Sequence, residues 1–314
     1  MRNHSRRPVV LICLSVSLIF FCSCTDEISW QVEQDDQGVL VTEGHEKVLF
    51  FQKATKSKDG QYARSNYIHP LYGIEGSVLT EDFPEDHLHH RGVFWTWHQV
   101  SIGEKRIGDA WLTEDFEWKV NEVKSIEENN FLLLKTDVDW VSPDWTNEAG
   151  MKVPFVKEKA LIRIHPKKEN FRCLDFEIEI KSLVDSLSIG GSEDEKGYGG
   201  FSWRMPLSDD VKFSGPDGQL KAQKLALDAG PWMNVTGTLN DTSDQEGIVV
   251  ISQKDNPNHP QPWILRNKNS MQNAVYPGRY PVSISKDNPL KLRYRLITYK
   301  GKLSAAEIDK LSDF

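Results

Sequence analysis

The 314-residue chain is poor in cysteine: it has four, and Cys13, Cys22 and Cys24 all fall at its amino-terminal end. Cys173 stands alone in the body, so no internal disulfide can staple it. Its place in the alternating run Asn170 to Ile180 reads as a buried strand thiol. The chain also lacks an excess of positive charge, with 38 Lys and Arg against 46 Asp and Glu for a net −8. Binding to a phosphate backbone needs clustered cations that release counterions, so nucleic acid is excluded as a partner class. Low-complexity tracts, short internal repeats and long linkers are missing. With 39% hydrophobic and 10% aromatic residues, the composition is that of an ordered globular protein rather than a disordered tail or a collagen-like rod. Beyond residue 22 there is no long apolar run either, and Val9 to Cys22 is too short to span a bilayer as a stable helix.

What is present begins with that run. Arg2, Arg6 and Arg7 precede it, and together they form a targeting segment. Ser23 before Cys24 resembles a bacterial lipoprotein signal, which predicts loss of residues 1–23 and lipidation of Cys24. A lipid anchor is then the only tie to a membrane, and the expected location is the bacterial cell envelope, periplasmic or at the outer-membrane surface. Residues 1–23 hold three Arg and no acid, so the remaining chain is more acidic than the whole. Residues 24–36 read as a linker and residues 37–314 as one domain.

Period-two or short apolar runs recur along that domain: Gly38 to Val41, Lys47 to Phe51, Phe116 to Val123, Phe131 to Trp140, Lys157 to Ile164, Phe171 to Ile180, Gly247 to Ser252 and Leu290 to Tyr299. Turn residues separate them, as in Ser214-Gly-Pro-Asp-Gly218. The fold class is therefore all-β, a large antiparallel sandwich. A single helix is expected at the end, where Ser304 and Glu307 form a capping box.

Chemistry concentrates in three stretches. Five of the nine His lie between Tyr67 and Val100: His69, His87, His89, His90 and His98. An extended chain there would turn His87, His89 and Arg91 one way and His90 the other. Three readings compete. His87 and His89 can be two ligands of a divalent metal, with His98, His69 or His259 as a third and Asp86 or Asp82 orienting a ring. One His can be a general acid or base tuned by Asp86, with Arg91 supplying charge to an oxyanion. Or the rings and carboxylates form a buried network that fixes a long loop.

The second stretch, Ile189 to Arg204, is rich in glycine, which lets the backbone pass close to a ligand beside Glu193, Asp194, Lys196, Tyr198 and Arg204. The third, Asp255 to Arg266, is stiffened by proline and presents His259, Trp263 and Arg266. Ten Trp are present, four of them (Trp95, Trp97, Trp203 and Trp263) in these stretches. Aromatic plates beside carboxylates, amides and Arg suit a polyhydroxylated ring, whose C–H face stacks and whose hydroxyls take hydrogen bonds.

His69-Pro-Leu-Tyr72, Thr80-Glu-Asp-Phe-Pro-Glu-Asp-His-Leu-His-His-Arg-Gly92, Trp97-His98, Lys196-Gly-Tyr-Gly-Gly-Phe-Ser-Trp-Arg204 and Asp255-Asn-Pro-Asn-His-Pro-Gln-Pro-Trp263 resemble the blocks of a large uncharacterised bacterial family labelled methane oxygenase, PmoA-like. The resemblance implies a carbohydrate setting and a large antiparallel sandwich of the galactose-mutarotase supersandwich type. A methane monooxygenase subunit crosses the membrane several times, which this chain has no apolar runs to do.

The expectation is an exported carbohydrate-active enzyme that hydrolyses, eliminates or epimerises a sugar or glycoside by acid–base chemistry. Proton transfer is assigned to His89, His98 and Asp86. Substrate binding is assigned to His69, His87, Arg91, Tyr198, Arg204, His259 and Trp263. The alternatives are a non-catalytic glycan-binding lipoprotein and a metal-dependent oxygenase using His87 and His89.

Overall fold

The structure is a computed structural model that describes residues 29–128, 130–239 and 244–314. Cys24 and the targeting segment lie outside the described residues. Two antiparallel sheets face each other. The first has eight strands, in the order Trp30–Gln34, Gly38–Glu43, Glu46–Gln52, Tyr67–Leu71, Val93–Trp97, Gly199–Trp203, Gln272–Val275 and Trp263–Ile264. The second has nine, in the order Glu117–Glu128, Phe131–Val141, Val156–Ile164, Phe171–Ser182, Leu290–Lys300, Gln245–Ser252, Trp232–Thr238, Lys212–Gly215 and Gly218–Leu220. A four-stranded sheet built on Gln99–Ile102 and Leu187–Gly190 and a hairpin of Lys56–Lys58 with Gln61–Arg64 complete the strands.

A long strand with one open face obeys the alternation of its sequence. Val156–Ile164 buries every second residue, as a strand does with one face on a core. Between the sheets, Trp95 and Phe201 of the first meet Phe176 and Tyr294 of the second, with Phe201 and Tyr294 stacked at 4.6 Å. Trp97 packs on Trp140 at 5.7 Å. A carboxylate sits among them: Glu158 is wholly buried and accepts from Asn66 Nδ2 at 2.8 Å and from Trp95 Nε1 and Trp140 Nε1 at 2.7 Å. It pins the two sheets together, since Asn66 and Trp95 come from one side and Trp140 from the other. Burial pushes its pKa up in spite of the three donors.

Two expectations change. Residues 30–34 are an edge strand rather than linker, paired with Gly38–Glu43 in the register Trp30 to Glu43; Trp30 and Val32 pack on the core, which gives the segment a buried side. The Trp excess is also structural: eight of the ten are at most 4% exposed, and Trp30 and Trp145 are partly buried against the core.

The helix forms as expected. Ala305–Lys310 is capped by Ser304, whose side chain accepts from Glu307 N while Glu307 reaches back to the Ser304 backbone. Ile308 packs with Trp232, Val249, Ile251 and Ile297, and Trp232 Nε1 donates to Asp309. The helix therefore covers the outer face of the nine-stranded sheet.

Candidate active site

Val93–Trp97 is buried at every residue. Trp95 and Trp97 face the second sheet, whereas Phe94 on the opposite side packs with Tyr67, Trp111 and Met271. A strand buried on both sides must be covered on its outer face, and the cover here is the segment 80–92 together with the Asp109–Leu112 turn. Backbone bonds lock it down: Arg204 N donates to Gly92 O at 2.7 Å, Gly92 N to Glu81 O at 2.8 Å, and Glu81 N to Arg204 O at 3.1 Å.

Within that cover the chain turns instead of extending. His87 N donates to Pro84 O and His90 N to His87 O, as the turn-forming Pro84 and Asp86 favour. His87 consequently stacks on His90 at 4.6 Å and 4°, with His89 edge-on to both. The expected split of His87, His89 and Arg91 to one side and His90 to the other does not occur.

Two chains of charged groups converge on these rings. In the first, Arg204 donates to both oxygens of Asp86 (2.7 and 2.9 Å), and Asp86 meets His87 Nδ1 at 2.7 Å. Arg204 also reaches Glu81 at 2.6 Å and His90 Nδ1 at 3.4 Å. Burial raises the Asp86 pKa, but the bonds from Arg204 and His87 outweigh it and hold the carboxyl below its ordinary value. In the second, Arg106 donates to Asp109 Oδ2 at 3.0 Å, and the same oxygen meets His98 Nδ1 at 2.9 Å. His98 stacks on Trp111 at 5.2 Å, which in turn touches His90 and Tyr198.

His89 stands apart. Its ring nitrogens have no hydrogen-bond partner among the described residues, and its pKa is pushed down to about 3 by burial, then by His87 and Arg64. The imidazole is therefore neutral at physiological pH, able to donate from one ring nitrogen and accept at the other.

A cleft of about 500 Å³ opens over the first chain, lined by His87, Lys196, Tyr198, Arg266 and neighbouring residues of the segments 222–224 and 265–270. Of the residues assigned from sequence, His87 and Tyr198 line it, and Asp86 and Arg204 stand directly behind His87. His98 lies further back, joined through Trp111, with its side chain 16% exposed.

Other assignments are corrected by packing. Arg91 is fully buried, donates to Asp82 at 2.9 Å and to Tyr62 O, and lies on the Phe83 ring, so it has no face for a substrate. Trp263 is 0% exposed, with Nε1 on Gly230 O, and cannot serve as a stacking plate. His69 bonds Thr80 at 3.0 Å and His259 meets Ser252 at 3.4 Å; neither lines the cleft. The glycines of the second stretch serve chain packing: a Cβ on Gly191 would lie 2.2 Å from Gly197 O, and Gly197, at φ +67°, lies against Gly278 and Arg279.

A metal does not fit either. His87 and His90 stack face to face at 4.6 Å and 4°, so their ring nitrogens lie in parallel planes and do not point at a common centre. Among the described residues no trio of His, Cys, Asp or Glu is placed to hold a metal ion.

Sequence reasoning missed Asp109, Trp111 and Arg106 entirely. Only Asp109 carried a signal, as an acid in the hairpin that follows the His-rich strand.

Comparison with curated proteins returns no match. Solved structures with a similar course include YeaD of Salmonella typhimurium, described as a candidate mutarotase (12% identity, TM-score 0.34, covering 86% of this chain and 94% of that one). The BT4657 gene product, a heparinase III, is 12% identical at TM-score 0.35 over 88% of this chain and 34% of its own. A candidate kojibiose phosphorylase from the human microbiome is 11% identical at TM-score 0.28, over 61% of this chain and 22% of its own. This chain thus spans about a third or less of the latter two. Residues 38–313 match DUF6807, a family of unknown function, so the chain belongs to an uncharacterised family, as its motifs imply.

Proposed function

We propose that the protein is a carbohydrate-active enzyme that moves protons on a sugar or glycoside with a histidine–carboxylate pair. The observation that carries this reading is the Arg204–Asp86–His87 chain, which ends in the cleft. A carboxylate that accepts from Nδ1 sets the tautomer and leaves Nε2 free to take or give a proton, and a doubly bonded guanidinium keeps that carboxylate ionised and fixed in orientation. His87 is 42% exposed at its side chain, so it can meet a ligand while its partners remain partly shielded.

His89, neutral and unbonded, stands edge-on to His87 and His90, outside the residues that line the cleft. Tyr198 offers the aromatic face that sugars stack on. The Arg106–Asp109–His98 chain supports the same site from behind Trp111. The glycan-binding alternative needs aromatic plates, and Trp95, Trp97, Trp203 and Trp263 are buried in the core.

Export and anchoring through Cys24 belong to the same proposal. Mass spectrometry of the envelope fraction would detect a diacylglyceryl Cys24 terminus, and an unmodified terminus would remove that part.

The enzymatic reading is tested by His87→Ala on a panel of plant and marine oligosaccharides, with products followed by mass spectrometry. General acid–base catalysis contributes about 10²–10⁴-fold, so turnover should fall by that factor while the melting temperature stays within a few degrees. A folded His87→Ala protein with full turnover removes His87 from the mechanism.

A further inference from the structure

The charge of the cleft is unlike that of the molecule around it. The chain as a whole carries −8, yet the charged side chains lining the cleft are Lys196, Lys224, Arg266 and Lys268, with no carboxylate among them. Lys196 is paired with Asp194 at 3.1 Å. Lys224 and Lys268 are exposed and have no ion-pair partner among the described residues.

Arg266 is the fixed member of the set. Its backbone is clasped by the fully buried Gln272, which accepts from Arg266 N at 2.7 Å and donates to Arg266 O at 2.8 Å. Its guanidinium donates to the carbonyls of Gln223, Leu265 and Lys224 at 2.7–2.9 Å and lies 5.3 Å from the Tyr198 ring centroid. Carbonyl dipoles hold the group in position without cancelling its charge. Of its five N–H donors three are engaged, which leaves two for a ligand.

A neutral sugar needs acceptors for its hydroxyl protons as well as donors, and sites for it usually include a carboxylate. The lining here offers amide and hydroxyl acceptors in Gln223, Asn267, Asn269 and Ser270, but its four charged groups are all cations and no carboxylate balances them. A concave surface of one sign also focuses its field and raises the local concentration of counter-charged ligand.

We infer that the ligand of this cleft carries an anionic substituent, a sugar carboxylate or an ester sulfate, gripped by Arg266 with Lys196, Lys224 and Lys268. That the anion sits on a sugar rests on the proposed function; that the ligand is anionic follows from the cleft alone.

The test is calorimetric titration of the full chain with matched pairs: oligogalacturonate against its neutral methyl ester, and a sulfated galactan oligosaccharide against its desulfated form, with inorganic sulfate as the minimal probe. The charged member should bind about tenfold tighter or better, a difference of about 1.4 kcal/mol. That preference should shrink at about 1 M salt, where the screening length is about 3 Å. Which pair shows the preference separates carboxylate from sulfate.

Arg266→Gln should abolish the preference and Arg266→Lys should restore part of it. Should Arg266→Gln fail to fold, the Lys224→Gln, Lys268→Gln double variant, made at exposed positions, should still reduce it several-fold. Equal or tighter binding of the neutral members overturns the inference, as does failure of every anionic probe to bind with a Kd of about 10 mM or tighter, about −2.7 kcal/mol. Failure of the two readings is distinguishable. Turnover lost in His87→Ala with no charge preference leaves the enzyme and removes the anion. Arg266-dependent anion binding with no product from any pair leaves the anion and removes the enzyme.

Discussion

Arg204–Asp86–His87 and Arg295–Asp175–His165 join the same three groups in the same order on opposite faces of the sandwich. In the second, Arg295 donates to both oxygens of Asp175 at 2.5 and 2.8 Å, and Asp175 meets His165 Nε2 at 2.7 Å. The bonding is as tight as at the cleft, and the carboxylate responds in the same way: burial raises the Asp175 pKa, while Arg295 and His165 outweigh it and bring it below its ordinary value. The difference lies in what surrounds each chain. Arg295 also donates to Leu311 O and lies over Phe314, tying down the segment after the helix, and His165 rests against Phe131 beside a recess of about 130 Å³. His87 instead opens into a cleft about four times that volume. An Arg–Asp–His chain is thus an orienting device, and only an imidazole with room in front of it can use the orientation for chemistry.

Four measurements would break or sharpen that contrast. The largest effect is expected at the structural chain. Arg295→Ala leaves the buried Asp175 carboxylate with only His165, and breaking a buried pair costs about 3–5 kcal/mol. Denaturant unfolding should register that loss, while turnover per folded molecule stays at the wild-type level; a drop in turnover instead would make the two chains functionally alike.

Next is Asp86→Asn at the cleft, which keeps the shape but lets His87 take the wrong tautomer. Turnover should fall by about 10²-fold, about 2.7 kcal/mol, with little change in unfolding midpoint. An unaltered rate would mean that Asp86 does not orient His87.

Third is Glu158→Gln, which probes a carboxylate with neither Arg nor His. Its three partners are all donors, so an amide NH₂ must face one of them. A loss of about 1–3 kcal/mol is expected, read by chemical denaturation, and unchanged stability would show that the Trp indoles do not depend on the charge.

The fourth effect is in pH. His89 has a folded pKa of about 3, and that of His90 is also lowered, by burial and then by His89 and His87, whereas an unfolded His titrates near 6.5. Between these values the unfolded chain binds more protons, so stability is fully present above about pH 6.5 and falls as the pH drops toward 3, by up to about 1.4 kcal/mol per pH unit for each such ring. His89→Asn should flatten the slope of melting temperature against pH between 6.5 and 4. An identical slope would show that His89 titrates normally.

Much of this was legible in one dimension. Val156–Ile164 alternates in sequence as it does in burial, and so does the run from Phe176 to Ser182, because a strand with one face on a core has a period of two whatever its neighbours are. Ser304 and Glu307 announced the helix because a capping box is closed within four residues. Asp86, His87 and Arg204 stood out as a chemically unusual set, since groups that are costly to bury are rarely clustered without use.

The rest was decided by packing. Trp203 and Arg204 are adjacent in sequence, yet Trp203, the last residue of its strand, fills the core, while Arg204, just past the strand end, orients Asp86. His87 and His90 came together through a turn that no alternation reveals. Asp109, Trp111 and Arg266 entered the site from distant segments, and only the closing of the sheets brings them beside His87. Local propensity and periodicity are properties of neighbouring residues, so the sequence alone determined strands, helix and the kinds of chemistry available. Which side chains meet, which are buried and which imidazole faces open space depend on contacts between remote segments, and those exist only once the sandwich has formed.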